Sequence, residues 1–466
     1  MTSLPAASGP LQPVRAVEPV GPRYVVTGPG NLPAPIAVLV CALAYAAFSQ
    51  GAFYVRELVT CTALLAAAAV ATARAHGRST VNAVPFVAVL AAAWAVASAT
   101  LGGNAAAAAG PVALALCAGA AFVVVRAGSR SERESFATAL LAVGCCVAVL
   151  GWLGVVLRVV PLALPDQQLW RAASSLTYAN ATAGLLVPLA RLTERRALAT
   201  RVAATLLLTG TLATLSRAGY LALAIGGVVL AARGGGVRRL VAAGWRPSLG
   251  ALVAFAGLLP SMPASAPPRP FVALLALAGG VAAQALPRDR RTVQAVAGTA
   301  AALVVLAAFG AAEPLADATR RVGAARVTVA SPDRAGEWSA TWRVAREHPV
   351  TGVGPGNLDI SWPAADGRLV MRAHYTHNEY LQLFAEQGAV GLALALALLA
   401  AAARSLRRTR REDAAPDWLA AGAAAALAAF LVHSAFDFVW HIPLIPLAVL
   451  AVVAAAGPAV DRKAVP

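Results

Sequence analysis

The stretch "HYTHNEYLQLFAEQGAVGLALALALLAAAAR", His374 to Arg404, sets two histidines, an asparagine, two glutamates and two glutamines directly before an apolar run. From Gly388 to Ala403 no side chain is polar. Crossing a bilayer takes about 20 mainly apolar residues, so this stretch predicts a membrane helix with a polar mouth.

The rest of the chain agrees with that reading. Hydrophobic residues make up 59% and charged residues 13%, with a mean hydropathy of +0.70, against roughly 45–50% and about 25% in soluble domains. A soluble globular fold is excluded. Apolar segments predict fourteen spans, near 33–53, 57–75, 83–101, 105–125, 136–157, 177–191, 200–215, 218–232, 247–262, 270–286, 294–312, 380–403, 417–434 and 443–457. The expected fold class is therefore all-α, a polytopic helical membrane protein of 12–14 transmembrane helices with one large outer loop. Residues 1–32, rich in Pro, Gly and small residues, read as a disordered cytoplasmic tail, with the first span serving as an uncleaved signal. Residues 33–312 then hold eleven spans, 313–379 a large extracytoplasmic loop, 380–457 three spans and 458–466 a short cytoplasmic tail.

The net charge of +17 would suggest nucleic acid in a soluble domain. Here 37 of the 38 basic residues are arginine and most fall in short loops, where such charges set topology. With the N-terminus inside, 25 basic residues lie in inner segments and five in short outer loops. That asymmetry places the His374–Gly391 stretch on the outer face of the membrane and argues against a nucleic-acid partner. The five cysteines lie inside predicted spans, so neither a disulfide framework nor a metal motif is implied.

The polar residues of the outer segment carry the chemistry. In "DRAGEWSATWRVAREHP", Arg334, Trp338, Trp342 and Arg346 recur every four residues, one face of an amphipathic helix. An interfacial helix with tryptophans at headgroup depth would look the same. "PVTGVGPGN" follows, with Gly352, Gly354 and Gly356 marking a tight turn; it lacks the lysine of a Walker loop. A helix starting near Thr376 could be capped by Thr376 with Glu379 as a capping box, which leaves His377 and Asn378 without a structural explanation. A histidine there can take a proton from a hydroxyl near neutral pH. Its neighbour His374 makes a metal site conceivable on spacing, but no further ligand stands close enough in sequence to complete one. Upstream, "TLSRAGYLALAIGG" holds Ser216 and Arg217 between apolar runs, and an arginine at that depth is a functional candidate or snorkels to water. "HSAFDFVWHIPLIPL" places His433, Asp437 and His441 at the last outer turn, where Asp437 either orients a histidine or is solvated.

These motifs together resemble the O-antigen ligase and polymerase family of membrane glycosyltransferases. The family pattern of His, then Asn, Ser or Gln, nine residues, Gly, two residues, Gly is similar to His377, Asn378, Gly388 and Gly391. Ser216-Arg217-Ala218-Gly219 resembles its Ser-Arg-Gly motif, and Arg334, Trp338, Pro349, Gly352 and Gly354 resemble its loop pattern. The likeness covers about residues 200–445. It implies a GT-C-like enzyme of a bacterial cytoplasmic membrane with its active site on the extracytoplasmic face. The implied donor is an undecaprenyl-diphosphate-linked oligosaccharide or polysaccharide, and the acceptor a glycan, lipid or protein. Neither cofactor nor metal is implied. By the resemblance His377 would act as base for the acceptor hydroxyl or would orient it, and Arg217 and Arg334 would hold the diphosphate and stabilise its leaving charge; Ser216, Asn378, His374, Arg343, Arg346 and Arg372 are further candidates for substrate contact. A transporter or flippase of lipid-linked glycans would share many spans, but such proteins often show repeated halves and ionisable residues at mid-membrane. A non-catalytic scaffold gives no reason for the His-Asn motif and the arginines to share a face.

Overall fold

A computed structural model describes residues 32–76, 83–193, 197–286, 332–364, 367, 369–407 and 417–457. The expected tails, the predicted span 294–312 and the first part of the outer segment lie outside the described residues. Within them the chain is an all-α polytopic membrane protein. Its helices are α1 (Ala34–Phe48), α2 (Val55–His76), α3 (Ala83–Leu101), α4 (Ala109–Ala127), α5 (Arg130–Leu157), α6 (Ala179–Ala190) and α7 (Leu198–Ala213). They continue with α8 (Arg217–Gly234), α9 (Val237–Leu258), α10 (Pro270–Ala282), α11 (Pro332–Glu347), α12 (Glu379–Arg407), α13 (Trp418–Ser434) and α14 (Leu444–Ala456). Thirteen of the predicted spans fall on these helices, and α11 is the amphipathic segment of the outer loop.

Six helical stretches are long and apolar enough to cross a membrane, within α2, α3, α4, α5, α9 and α12 together with short flanking turns, while α1, α6, α7, α10, α13 and α14 are shorter apolar helices. Two boundaries differ from expectation. The helix α5 starts at Arg130 instead of 136 because Ser129 and Glu132 form a capping box around its first turn. The helix α9 starts at Val237 instead of 247, carrying Pro247 inside it with arginines along its first turns.

At the centre stands α14, buried on every side and packed against α1, α4, α5, α6, α12 and α13. A helix apolar all round belongs in such a place. Two short antiparallel hairpins sit among the loops: β1 (Ala163–Asp166) pairs with β2 (Leu169–Ala172), and β3 (Ile360–Pro363) with β4 (Val370–Ala373).

The helix α12 is broken at Gly388, whose backbone turns to φ 66° and ψ −170°. The break frees backbone groups that hydrocarbon cannot satisfy, and other segments take them. Val353 N–H donates to the Ala385 carbonyl at 3.0 Å and Gly354 N–H to that of Glu386 at 2.8 Å, while Trp94 Nε1–H reaches Gln387 O at 2.9 Å. In return Ala389 N–H donates to Pro349 O at 2.9 Å. The glycines of the turn, with φ of 69°, 92° and 71° at Gly352, Gly354 and Gly356, make this approach possible. The turn's N–H groups at 353 and 354 thus serve α12, which is a structural use of the glycine run.

A Cβ at Gly388 would stand 2.0 Å from Val350 O, in a conformation that side chains avoid. Gly388→Ala is expected to destabilise the protein by at least about 2 kcal/mol, read as a lower thermal unfolding midpoint in detergent. Gly244→Ala in α9 meets nothing within 4 Å and serves as the neutral control. Equal midpoints for the two variants would show that the break is not structural.

Candidate active site

Four segments meet at the mouth of the bundle: α11, residues 374–378 before α12, the turn 435–441 between α13 and α14, and the loop leading into α6. Asp437 joins them. Its carboxylate is fully buried, a placement that costs several kcal/mol unless donors surround it. Tyr178 Oη donates to it at 2.9 and 3.0 Å, Asn180 Nδ2 at 2.5 Å, and its neighbour Phe438 N–H at 3.0 Å. Arg334 adds a guanidinium 3.7 Å away and donates to Phe436 O at 3.0 Å. Asp437 is therefore neither solvated nor bonded to a histidine; it anchors Arg334.

Beyond Asn180 the network continues. Arg171, also buried, donates to Asn180 Oδ1 at 3.0 Å, to Asp166 Oδ2 at 2.6 Å and to Thr214 O at 2.8 Å. Thr214 precedes the Ser216-Arg217 motif, so this relay ties that motif to Arg334. Ser216 caps α8, its hydroxyl accepting from Gly219 N–H at 3.1 Å, and Arg217 is the half-buried first residue of the helix.

His377 projects beside this network. Its Nδ1 lies 3.0 and 3.1 Å from the two carboxylate oxygens of Glu337 on α11, which also accepts from the His377 backbone N–H. Glu337 is 3% exposed. With Nδ1–H donating to the carboxylate, Nε2 is left as the basic nitrogen. Burial lowers the affinity of His377 for a proton. The Glu337 hydrogen bond and the Asp437 and Glu337 charges outweigh burial and the opposing Arg334, so its pKa is raised.

The cap at α12 differs from the expected one. Asn378 is the capping residue, accepting from Leu381 N–H at 3.1 Å. Thr376 is buried against Thr341, with their hydroxyls 2.8 Å apart, and its N–H donates to Gln382 Oε1 at 2.6 Å. Glu379 does not fold back on the chain. It points across to the last turn, where it accepts from the backbone N–H groups of Trp440 and His441 and lies 3.2 Å from His441 Nδ1. Burial lowers the His441 pKa, but the charge and hydrogen bond of Glu379 prevail and raise it to about 9. His433 is buried in α13, and neither ring nitrogen has a partner among the described residues.

The remaining candidates lie further out. His374 is exposed with Nδ1 3.1 Å from Leu358 O. Arg372 pairs with Asp359 across the β3–β4 region, and Arg343 and Arg346 are exposed on α11. The face of α11 turned to the site carries Arg334, Glu337 and Thr341. The Arg334, Trp338, Trp342, Arg346 row instead winds outward, with Trp342 49% exposed against Phe384. Sequence reading missed Glu337, although it stands three residues from Arg334 on the same helix face. It also missed Tyr178, Asn180 and Arg171, which no local pattern marks.

Among the described residues, the apolar helical bundle of a polytopic membrane protein carries at its mouth the His377–Glu337 pair beside Arg334. Residues 202–396 match the family model described as O-antigen ligase. The match includes Arg217, Arg334, Glu337 and His377, and ends before Asp437 and His441. No curated protein matches the chain.

The His441–Glu379 pair makes stability depend on pH. A pKa raised in the folded state gives stability that is complete below the ordinary value of 6.5 and is lost as pH rises through about 9. The amount is at most about 3 kcal/mol. The unfolding midpoint is expected to fall from pH 6.5 to 9, and His441→Gln to flatten that fall; an unchanged slope in the variant would refute the assignment.

Proposed function

We propose that the protein is a membrane glycosyltransferase that moves a glycan from a lipid-diphosphate donor to an acceptor hydroxyl. The observation that carries this reading is the His377–Glu337 pair standing beside Arg334. Glu337 holds the imidazole by Nδ1, so Nε2 takes the acceptor proton as the hydroxyl oxygen bonds to the anomeric carbon. The bond between that carbon and the diphosphate oxygen breaks, and the lipid diphosphate leaves with the bonding electrons. Arg334, fixed by Asp437 and the Phe436 carbonyl, can receive the developing phosphate charge, as can Arg217 at the start of α8. Because the arginine is preorganised, little reorganisation is needed as charge develops.

The donor that the family resemblance implies is undecaprenyl-diphosphate-linked oligosaccharide or polysaccharide. Asn378, His374, Arg343, Arg346, Arg372 and Ser216 are the further residues proposed to serve substrate, with Asn378 and Ser216 acting through the helix ends they cap. The short outer loops hold five basic residues against 25 in the inner segments, which supports a site facing out of a bacterial cytoplasmic membrane. Neither a nucleotide sugar nor a metal enters this scheme.

Purified protein in nanodiscs, given a labelled lipid-diphosphate glycan without nucleotide sugar or metal, is expected to consume donor. His377→Ala should lower kcat by about 10²–10⁴-fold. Glu337→Gln should lower kcat and move the acid limb of the pH–rate profile to lower pH, since the imidazole loses the group that raises its pKa. Native turnover in His377→Ala, or an unmoved acid limb in Glu337→Gln, would remove the pair from the mechanism. Product size separates chain polymerisation from transfer of a finished chain.

A further inference from the structure

Four aromatic side chains from three separate segments form a continuous row that ends on His377. Tyr54 meets Phe53 edge-on with centroids 5.2 Å apart, Phe53 meets Tyr375 at 6.1 Å, and Tyr375 stacks on Phe438 at 5.4 Å. Phe438 in turn meets the His377 imidazole edge-on at 5.4 Å. The row is open to the outside: Tyr54 is 55% and Tyr375 37% exposed, and Phe53 and Phe438 are partly so.

Tyrosines outside the row commit hydroxyls to the fold in several places. Tyr178 gives its hydroxyl to Asp437 and Tyr380 gives its own to the Leu431 carbonyl. Among the described residues no hydrogen bond takes the hydroxyl of Tyr54 or Tyr375. Tyr375 also stands two residues before His377 and edge-on to His441 at 4.9 Å, so its ring is held in place by neighbours while its polar tip is unclaimed. A rigid apolar face with a free hydroxyl at its rim suits a ligand that has the same two characters. A pyranose ring has them, with C–H groups on its faces and hydroxyls around its edge. A lipid tail would have no use for the hydroxyls, and a phosphate none for the rings.

We propose that the row Tyr54, Phe53, Tyr375 and Phe438 is a glycan subsite that stacks sugar rings and leads them to His377. Only the use of its inner end rests on the transferase reading; the binding itself does not. The sugar can belong to the donor chain or to a glycan acceptor, and both offer the same ring chemistry.

The test measures binding without turnover. Full-length protein in nanodiscs, native and His377→Ala, is mixed with the lipid-free oligosaccharide released by mild acid from the host's lipid-linked glycan pool, and saturation transfer to the sugar C–H protons is recorded by NMR. Transfer is expected in both proteins, with binding about five-fold weaker in Tyr375→Ala and in Tyr54→Ala, the loss that one aromatic contact implies. Tyr375→Phe, which keeps the ring, should retain most of the binding. Tyr54→Ala touches only the exposed end of the row, so it reports even where Tyr375→Ala fails to fold. Native-like binding in Tyr54→Ala and in folded Tyr375→Ala overturns the subsite, as does loss in Tyr375→Phe equal to that in Tyr375→Ala. In steady-state turnover a raised KM for the lipid-linked donor assigns the row to the donor, and a raised KM for the acceptor assigns it to the acceptor. Binding lost in these variants by a protein that transfers nothing would uphold the subsite while rejecting the transferase reading.

Discussion

A helix that breaks inside a membrane must hand its backbone hydrogen bonds to something else. The structure of this protein's mouth follows from that demand at Gly388. The carbonyls released before the break are taken by Val353, Gly354 and Trp94, which pins the glycine turn and α3 against α12. Glu386 extends the same clamp, accepting from Gly356 N–H and from Gln382, which itself holds Thr376. The loop that presents His377 is therefore fixed from below by a chain of bonds that begins at the break. Without it, His377 and the α11 carboxylate would share no common frame.

Two buried glutamates then divide the histidines between two tasks. Glu337 and Glu379 each lie against an Nδ1, and each also accepts backbone N–H from its histidine's segment. The pair on His377 leaves a partly open imidazole beside Arg334. The pair on His441 joins α12 to the last turn and holds a cation that stays charged through neutral pH. Like chemistry thus leaves a partly open imidazole beside Arg334 in one place and makes a staple in the other.

The membrane class and nearly all described helices were legible because hydropathy is a local property, and a run such as Gly388–Ala403 admits one reading. His377 was legible for the opposite reason, being polar where the sequence has no structural need for it. What stayed hidden is mostly nonlocal. Asp437 bonds to a residue 257 positions away, and Arg171 looked like one more loop charge. Glu337 was within reach, but the repeat of four through Trp338 and Trp342 drew attention to a face of α11 that turns outward. The capping box expected at Thr376 failed because Glu379 finds a stronger partner in His441, and a tertiary ion pair outweighs a local hydrogen bond.

Short helices let loops enter the bundle. Gly457 O, just past the end of α14, meets Arg133 near the start of α5, whereas Ser174, in the loop that leads to Tyr178 and Asn180, bonds Val147 O well before the end of α5 at Leu157. At the rise of an α-helix those ten residues amount to roughly 15 Å. The loop that leads into α6 therefore dips beside α5, and the Asp437 carboxylate that its Tyr178 and Asn180 hold is fully buried. A carboxylate buried in this way acts through little water and few mobile ions. Salt that erases attraction between exposed charges would leave the hold of Asp437 on Arg334 largely intact.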